Sequence, residues 1–296
     1  MNKTELASIV SLLRPFTLLA PVIVSSSVMI ASLYFSGQEL FSSWHFLFTI
    51  VIASGAFALL NGASNALNQA TDIKEDRLSK PYRPLPRGAL NKKQAVSIAV
   101  FFYTISMLLS LLIHPLFFMF IVLITSFTVS YSVFPRMKQR LLWNQLWVAI
   151  PRGFLGILAS WSVFGNPFHP MVLAIAILAA IFLFGGTTTK DILDAEADRK
   201  HGVATMMNVF GIRFTAWASF CFMAAAFLLI LPLSILGVFP LSFLLLLLLL
   251  LPTVGILWSM MHAHHITHHE NTKAWRIMYG TYFLYALGFA VLTVCM

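Results

Sequence analysis

The chain has 296 residues, of which 59% are hydrophobic and only 10% are charged, and its mean hydropathy is +0.86. A soluble domain of this length has no use for so much apolar surface, so the composition predicts a membrane protein with several spans. The scarcity of charged residues also excludes most nucleic-acid-binding proteins. We therefore expect no nucleic acid among its partners, although the net charge is +9.

Nine apolar segments are long enough to cross a bilayer, which takes about 20 residues of helix. We therefore predict an all-α fold with nine transmembrane helices. The segments lie at about 15–36, 45–71, 95–113, 116–133, 141–164, 170–189, 213–233, 236–261 and 277–295. Cys221 and Cys295 fall inside them, so neither a disulfide nor a thiolate metal site is expected. No signal peptide is expected, because no short apolar core with a cleavage site precedes span 1.

The lysines and arginines predict the orientation of these spans. They gather before span 1 and between spans 2–3, 4–5, 6–7 and 8–9, whereas the other connections contain none. By the positive-inside rule, the N-terminus and the cation-rich connections are cytoplasmic, and the C-terminus lies on the opposite side of the cell membrane. Arg152 alone falls well inside a span, where it either reaches back to the interface or faces an internal cavity.

The chain, 1–296, is expected to form a single transmembrane domain with a weak internal duplication. Two similar acidic stretches end spans 2 and 6, and Asp72 and Asp191 within them are 119 residues apart, since 191 − 72 = 119. Each stretch follows the second helix of a four-span unit. The pattern predicts two four-helix halves, about 1–133 and 141–261, followed by a ninth helix at about 277–295.

The first acidic stretch is NQATDIKEDRLSKPYRPLPRG, from Asn68 to Gly88. Asn68, Asp72 and Asp76 are four residues apart, which places their side chains on one face of a helix. Acidic side chains at the end of a membrane helix are costly, so their clustering indicates a function.

The second acidic stretch is KDILDAEADRKHG, from Lys190 to Gly202. Asp191, Asp194 and Asp198 stand at i, i+3 and i+7, again on one helical face. Both stretches are predicted at the cytoplasmic side, because an even number of crossings separates them.

Two carboxylate clusters of this kind are typical ligands of Mg²⁺, which prefers oxygen donors and often shares its coordination with phosphate groups of a substrate. The lysines and arginines of the same connections suit a diphosphate, whose remaining charge they would neutralise. Because the site is at the membrane edge, the rest of the substrate is expected to be a lipid tail. An allylic isoprenoid diphosphate meets these requirements, and aromatic faces would stabilise the allylic cation that forms when pyrophosphate leaves.

The motifs NQATDIKED, KPYRPLPRG and KDILDAEADRKHG resemble those of the UbiA superfamily of intramembrane prenyltransferases, and the resemblance covers most of the chain. It implies nine transmembrane helices around a central cavity that opens sideways to lipid, with a cytoplasmic cap built from the 2–3 and 6–7 connections. It also implies a Mg²⁺ cofactor, a prenyl diphosphate donor (such as geranyl, farnesyl or geranylgeranyl diphosphate) and a lipophilic acceptor.

The resemblance assigns expected roles to individual residues. Asn68, Asp72 and Asp76 match the first metal motif, and Asp194 and Asp198 match the second. Asp191 matches the preceding acid, which binds metal or helps to take the acceptor's proton. The expected contacts of the diphosphate are Arg14, Asn68, Arg83, Tyr131, Lys138 and Asn144.

The acceptor is less clearly indicated. The seven residues from Asp76 to Arg83 resemble the chlorophyll synthase and digeranylgeranylglyceryl phosphate synthase branches, and KDILDAEAD resembles the ether-lipid and homogentisate branches. Arg87 and Ala197 depart from the serine and glycine common at these positions. The acceptor is expected to be an isoprenoid glyceryl phosphate or an aromatic (quinone) precursor.

Other interpretations of the acidic stretches remain open. The acids could form the ion path of a cation transporter, or the chain could bind isoprenoid lipids without catalysis. The run from His262 to His269 contains i, i+4 histidine pairs but is favoured as a polar connection rather than a metal site. The segment GGTTTK, from Gly185 to Lys190, lacks the spacing of a phosphate loop, and its glycine pair is expected to allow close helix packing.

Overall fold

The computed structural model describes residues 3–38, 43–263 and 272–296, and within these ranges all regular structure is helical. The α-helices are, in chain order, α1 (Lys3–Leu13), α2 (Pro15–Phe35), α3 (Trp44–Thr71), α4 (Ile73–Ser79), α5 (Lys92–Ile113), α6 (Pro115–Ser132), α7 (Trp143–Ala149), α8 (Leu155–Trp161), α9 (Pro170–Gly186), α10 (Asp191–Lys200), α11 (Met206–Leu228), α12 (Ile230–Ile235), α13 (Leu250–Met261) and α14 (Lys273–Val294). Three 3-10 helices, Met137–Gln139, Thr187–Lys190 and Leu241–Leu249, and a π-helical segment, Ile150–Phe154, complete the order. The predicted all-α class is confirmed.

Eight helical stretches in these described ranges are long and apolar enough to cross a membrane. They are Pro15–Phe35, Trp44–Thr71, Lys92–Ile113, Pro115–Ser132, Pro170–Lys200, Met206–Ile235, Leu241–Met261 and Lys273–Val294. They correspond to eight of the nine predicted spans. The predicted count of nine is therefore approximate, and the difference lies in span 5.

Span 5, predicted at 141–164, is built from three consecutive pieces rather than one α-helix. α7 passes into the π-helical segment Ile150–Phe154, which passes into α8. Pro151 lies in the π-helical segment, and because proline has no backbone N–H it removes one hydrogen bond of a regular α-helix. Segments of π-helix inside α-helices occur frequently at functional sites.

The sequence did not predict α1 as a separate helix. Arg14 separates α1 from α2 and adopts a left-handed conformation with φ 56°. Gln69 Nε2 donates to the carbonyl of Leu12 (2.6 Å), and Asn65 Nδ2 donates to that of Leu13 (2.9 Å). These bonds satisfy carbonyls that the end of α1 leaves open, and they hold α1 against the last turns of α3.

Polar side chains also join the apolar spans to one another. Asn61 Nδ2 donates to the carbonyl of Thr17 (3.0 Å), which links α3 to α2, and Ser106 Oγ donates to the carbonyl of Ala56 (2.7 Å), which links α5 to α3. Hydrogen bonds between helices hold membrane spans together, because lipid offers no alternative partner.

The glycine pair at the end of α9 allows close packing, as predicted. A Cβ atom on Gly185 would lie 2.6 Å from the carbonyl oxygen of Ser219 on α11, and one on Gly186 would lie 2.7 Å from Met278 Cγ on α14. Ser219 Oγ also donates to the carbonyl of Gly185 (2.7 Å). This packing fixes the position from which Thr187–Lys190 and α10 leave the bundle.

Candidate active site

The first motif lies where α3 ends and α4 begins. Asn68 is on the last turn of α3, Asp72 is the single residue between the two helices, and Asp76 is on α4. The N–H of Asp72 donates to the carbonyl of Asn68 (3.0 Å), and that of Asp76 to Asp72 (2.8 Å), so the helical pattern continues across the break. All three residues line one cavity, which agrees with the single helical face that their spacing predicted.

The second motif is on α10 and lines the same cavity. Asp191 is the first residue of the helix, and Asp194 and Asp198 follow on the same face. Asp191 is buried, and its Oδ2 atom has no hydrogen-bond partner in the described part of the chain. Glu196, on another side of the helix, is exposed and pairs with Lys200.

Lys80 connects the two motifs. It ends α4, is buried, and forms an ion pair with Asp194 on α10. α4 and α10 lie against each other, so the cap connections of spans 2–3 and 6–7 meet at this point. Sequence reasoning counted Lys80 among the cations of the connection between spans 2 and 3 but did not assign it to the site. Its position four residues after Asp76, within the same acidic stretch, was the signal for a role in the site.

Arg83 lies on the cavity, where the sequence predicted a diphosphate contact, and it pairs with a carboxylate of the first motif. Its Nη1 donates to both oxygens of Asp76, at 2.9 Å each, and both residues are buried. Burial raises the pKa of the Asp76 carboxyl, and the charges of Arg83 and Lys80 oppose this rise.

Lys138 forms an ion pair with Asp72 and also donates to Asn68 Oδ1 (3.2 Å) and to Thr71 Oγ1 (3.3 Å). Burial lowers the pKa of its ammonium group, and the Asp72 carboxylate opposes this shift. Lys138, which the sequence predicted as a contact of the diphosphate, thus contacts the first motif although it lies 66 residues after Asp72 in the chain.

Arg136 is a second cation paired with Asp72, beside Lys138, and the sequence did not single it out. Its Nη2 donates to Asp72 Oδ1 (3.0 Å) and to Glu75 Oε1 (2.9 Å). Arg136 lies two residues before Lys138 and adopts a left-handed conformation with φ 54°. Only the tertiary fold shows that this connection folds back over α4.

Tyr131 and Asn144, two further predicted contacts, form a hydrogen-bonded group with Lys190. The Tyr131 hydroxyl donates to Asn144 Oδ1 (3.0 Å), and Lys190 Nζ donates to the Tyr131 oxygen (2.6 Å) and to Asn144 Oδ1 (3.2 Å). Asn144 also lies beside Asp191. This group connects the ends of spans 4, 5 and 6 at the cavity wall, and Lys190 is the member that sequence reasoning did not assign to the site.

Two remaining arginines, Arg14 and Arg152, complete the charged lining of the cavity. Arg14, predicted as a diphosphate contact, is half-buried between α1 and α2 and lines the cavity. Arg152, for which the sequence left two positions open, also lines the cavity and donates through Nη1 to the Tyr279 hydroxyl (3.1 Å).

The side chains of the two motifs have the oxygen donors that a hard divalent cation prefers, although these donors do not form a compact site. The donors are five carboxylates and an amide oxygen around one cavity, and the buried Asp191 Oδ2 has no described partner. In the described part of the chain, no three acidic, histidine or cysteine residues form a group close enough to hold a metal ion. Lysines and arginines are instead paired with Asp72, Asp76 and Asp194.

The predicted histidine run lies mainly outside the described residues, since only His262 falls within them. Its ring stacks on Trp258, with centroids 4.6 Å apart, and its Nδ1 lies 2.8 Å from the carbonyl of Trp258. His262 therefore packs on the end of α13.

The sequence is similar to a known protein family and to curated members of it. The model of the UbiA prenyltransferase family matches residues 24–288. The chain is 29% identical over 210 residues to 2-acyl-4-prenylphloroglucinol 6-prenyltransferase of Humulus lupulus, covering 68% of this chain and 51% of that one. It is 28% identical over 166 residues to digeranylgeranylglyceryl phosphate synthase of Thermococcus gammatolerans, covering 52% and 54%. The chain thus spans about half the length of these curated relatives.

Among solved structures, the fold is similar to a UbiA homologue from Archaeoglobus fulgidus bound to DMAPP and Mg²⁺. The TM-score is 0.73 at 18% sequence identity, and the match covers 98% of this chain and 99% of the other. The arrangement of helices is therefore shared over nearly the whole chain.

Proposed function

Because the chain belongs to the UbiA prenyltransferase family, we propose that it transfers a prenyl group from an isoprenyl diphosphate to a lipophilic acceptor and releases pyrophosphate. One observation carries the proposal: carboxylates from the ends of two membrane spans line a single cavity together with lysines and arginines. A membrane-embedded diphosphate needs both kinds of group, because its charge must be neutralised and its position fixed.

The proposed cofactor is Mg²⁺, held by the side chains that the two motifs contribute, Asn68, Asp72, Asp76, Asp194 and Asp198. When bound, Mg²⁺ supplies positive charge that polarises the diphosphate and stabilises pyrophosphate as it leaves. Lys80, Arg136 and Lys138, which are paired with Asp194 and Asp72, would then be displaced toward the diphosphate oxygens.

The chain's own cations would hold the leaving group. Lys138 and Lys80 each contact a carboxylate of one motif, so a small movement of either ammonium group would reach a diphosphate bound between the motifs. Arg83 would act from its fixed position beside Asp76. Arg14, Tyr131 and Asn144 complete the proposed contacts.

Cleavage of the bond between C1 and the diphosphate oxygen leaves an allylic cation and pyrophosphate. Aromatic rings of Tyr131, Trp147 and Trp275 line the cavity, where they would stabilise the cation and exclude water. The acceptor then forms a bond to C1 through a nucleophilic carbon or oxygen and loses a proton. Asp191 is proposed to accept that proton, since its buried Oδ2 has no partner among the described residues.

The acceptor proposed first is an isoprenoid glyceryl phosphate, and the second class is an aromatic precursor of a quinone. The donor is proposed to be geranyl, farnesyl or geranylgeranyl diphosphate. The protein is proposed to lie in the cell membrane. Its N-terminus and the motif end of the bundle, which is the end that carries the two acidic motifs, are proposed to face the cytoplasm, because the cation-rich connections are predicted on one side.

A cation transporter is the alternative from another class. Transport sites in membrane proteins typically lie near the middle of broken helices. Here Asp72 and Asp76 follow the end of α3, and Asp194 and Asp198 are beyond the end of α9. Their position among lysines and arginines favours a diphosphate over a passing cation.

To test this proposal, purified protein is incubated with each of the three donors and a panel of acceptors, with either Mg²⁺ or EDTA present. Pyrophosphate release and the mass of the product are measured. Release that requires Mg²⁺ and increases with one acceptor is the expected result. Tight Mg²⁺-dependent binding of donors without release for any acceptor would favour a non-catalytic isoprenoid-binding protein instead.

A further inference from the structure

Arg152 carries its positive charge deep inside the membrane-spanning part of the cavity. It lies in the π-helical segment Ile150–Phe154 and is half-buried, with its open side on the cavity. It comes eight residues after Asn144, since 152 − 144 = 8, which corresponds to roughly 12 Å along a helix axis. Arg152 therefore lies deeper in span 5 than Asn144, which contacts Lys190 and Asp191.

Two tyrosines of α14 fix this residue. Arg152 Nη1 donates to the Tyr279 hydroxyl (3.1 Å), and the Tyr282 hydroxyl donates to the backbone carbonyl of Arg152 (3.0 Å). The Tyr279 ring packs on Trp275, with ring centroids 4.1 Å apart. The guanidinium is thus held in the cavity by a neighbouring helix and does not extend along span 5 to the interface.

The charge of Arg152 is not compensated in the described part of the chain, where no carboxylate forms an ion pair with it. The described hydrogen bond of the guanidinium, to the Tyr279 hydroxyl, uses one of its five N–H donors. A cation placed this deep in a bilayer is costly and normally marks a pathway or a ligand site. A bound anion would satisfy both the charge and the remaining donors.

The isoprenoid tail, Mg²⁺ and the donor diphosphate of the proposed reaction do not supply that anion. An isoprenoid tail is apolar, and Mg²⁺ is repelled by a guanidinium. The donor diphosphate is proposed to lie between the two carboxylate motifs, in the layer of Lys80 and Lys138, where several cations already surround it. The remaining ligand is the acceptor.

We infer that Arg152, held by Tyr279, binds an anionic oxygen group of the acceptor, either a carboxylate or a phosphate. The inference rests on the proposed prenyl transfer. Arg152 would then be a specificity-determining residue that places the acceptor's anion deep in the cavity and its nucleophilic atom toward the motif end. A planar guanidinium suits this task because it can donate two parallel hydrogen bonds to a carboxylate or a phosphate.

The test compares matched acceptors that differ only in the anionic group. One pair is 4-hydroxybenzoate and 4-hydroxybenzamide, and the other is geranylgeranylglyceryl phosphate and geranylgeranylglycerol. Equilibrium binding of each to detergent-solubilised full-length protein is measured with Mg²⁺ and a non-reactive thiodiphosphate donor analogue present, and turnover is measured separately. The two pairs distinguish a carboxylate from a phosphate.

Wild-type protein should bind the anionic member of at least one pair more tightly than its neutral partner. Arg152→Gln should weaken that binding by about tenfold or more, and Tyr279→Phe by a smaller factor, while binding of the neutral member and of the donor analogue changes by less than about twofold. Arg152→Lys should recover part of the loss. Arg140→Gln is the matched control, because Arg140 is exposed and does not line the cavity.

Equal losses for anionic and neutral acceptors in Arg152→Gln, no loss for either, or no binding of any anionic acceptor by the wild-type protein would overturn the inference. A different result would overturn the proposed function alone: anionic acceptors bind through Arg152, yet no donor is cleaved in any combination.

Discussion

Arg83 Nη1 lies 2.9 Å from both carboxylate oxygens of Asp76, and the two residues are almost completely buried, with exposed fractions of 5% and 4%. The pair joins α4 to the connection that follows it and thereby shapes one wall of the cavity. Removing one member of a buried ion pair is costly because the other charge stays away from water without its compensating partner. This pair is therefore expected to serve both the stability of the cap and the chemistry of the site.

Replacing Asp76 by leucine should lower the free energy of unfolding by roughly 3–5 kcal/mol, since the carboxylate that compensates Arg83 is lost. The double variant Asp76→Leu/Arg83→Met should regain most of the stability, because it removes both charges, but should remain inactive. Thermal unfolding in detergent and pyrophosphate release measure the two effects. Lys92→Ala, an exposed position, is the control. A single variant as stable as the wild type would show that the pair contributes nothing to folding.

Lys138 and Mg²⁺ are expected to compete for Asp72, because the ammonium group of Lys138 forms an ion pair with this carboxylate. Lys138→Met should therefore tighten binding of Mg²⁺ alone. The same variant should raise the KM for the donor about 10- to 100-fold, since one charge-assisted contact to the diphosphate is lost. Calorimetry with Mg²⁺ and steady-state kinetics provide the two readouts. An unchanged donor KM would remove Lys138 from the proposed diphosphate site.

Much of the site could be predicted from the sequence because its main features are local. The spacing of Asn68, Asp72 and Asp76 determines that they share a face, whichever helices surround them. The span positions followed from hydropathy, and the predicted family resemblance is confirmed by the family match over residues 24–288. The assignment of catalytic roles to these residues stays a prediction, as does the division into two four-helix halves.

The contacts between distant segments could not be predicted in the same way. Lys80 pairs with Asp194 and Arg136 pairs with Asp72 because separate connections fold over one another, and no periodicity within either connection determines that approach. Span 5 was predicted as one helix because hydropathy does not register the break at Pro151. The position of Arg152 in the cavity depends on Tyr279, which is 127 residues away in the chain.

The close approach of span 5 to span 6 gives a test of the architecture that holds Arg152. A Cβ atom on Gly153 would lie 2.7 Å from the Cα and N atoms of Ala180, so the backbone of α9 or of the π-helical segment would have to shift. Gly153→Ala should lower the free energy of unfolding by about 1–3 kcal/mol, as overpacking usually does. Thermal unfolding in detergent measures the loss.

Gly255→Ala is the matched control for this substitution, because nothing lies within 4 Å of a Cβ atom at Gly255. It should leave stability unchanged or raise it slightly, since Gly255 is inside α13 and alanine favours helix. Equal stability of the two variants would mean that spans 5 and 6 are not as closely packed as described.

The proposed orientation can be tested by cysteine labelling from outside the cell. A variant with Cys221→Ser and Cys295→Ser removes the native thiols, both of which are exposed. An impermeant maleimide should then label Asn166→Cys, between spans 5 and 6, but should fail to label Lys92→Cys, at the start of α5, until the membrane is permeabilised. Both positions are exposed, so a difference in labelling between them cannot result from burial within the protein. The reverse pattern would overturn the proposed topology.

The inward carboxylates of the two motifs are proposed to support Mg²⁺-dependent cleavage of a prenyl diphosphate together. The most direct measurement is pyrophosphate release by the wild type, Asp198→Ala and Glu196→Ala, each with and without Mg²⁺, at equal amounts of folded protein. Asp198 and Glu196 are on the same helix, but Asp198 lines the cavity and Glu196 faces outward, paired with Lys200. The wild type and Glu196→Ala should release pyrophosphate only when Mg²⁺ is present, and Asp198→Ala should lose nearly all release. Wild-type rates in Asp198→Ala would show that the second motif is not needed for cleavage.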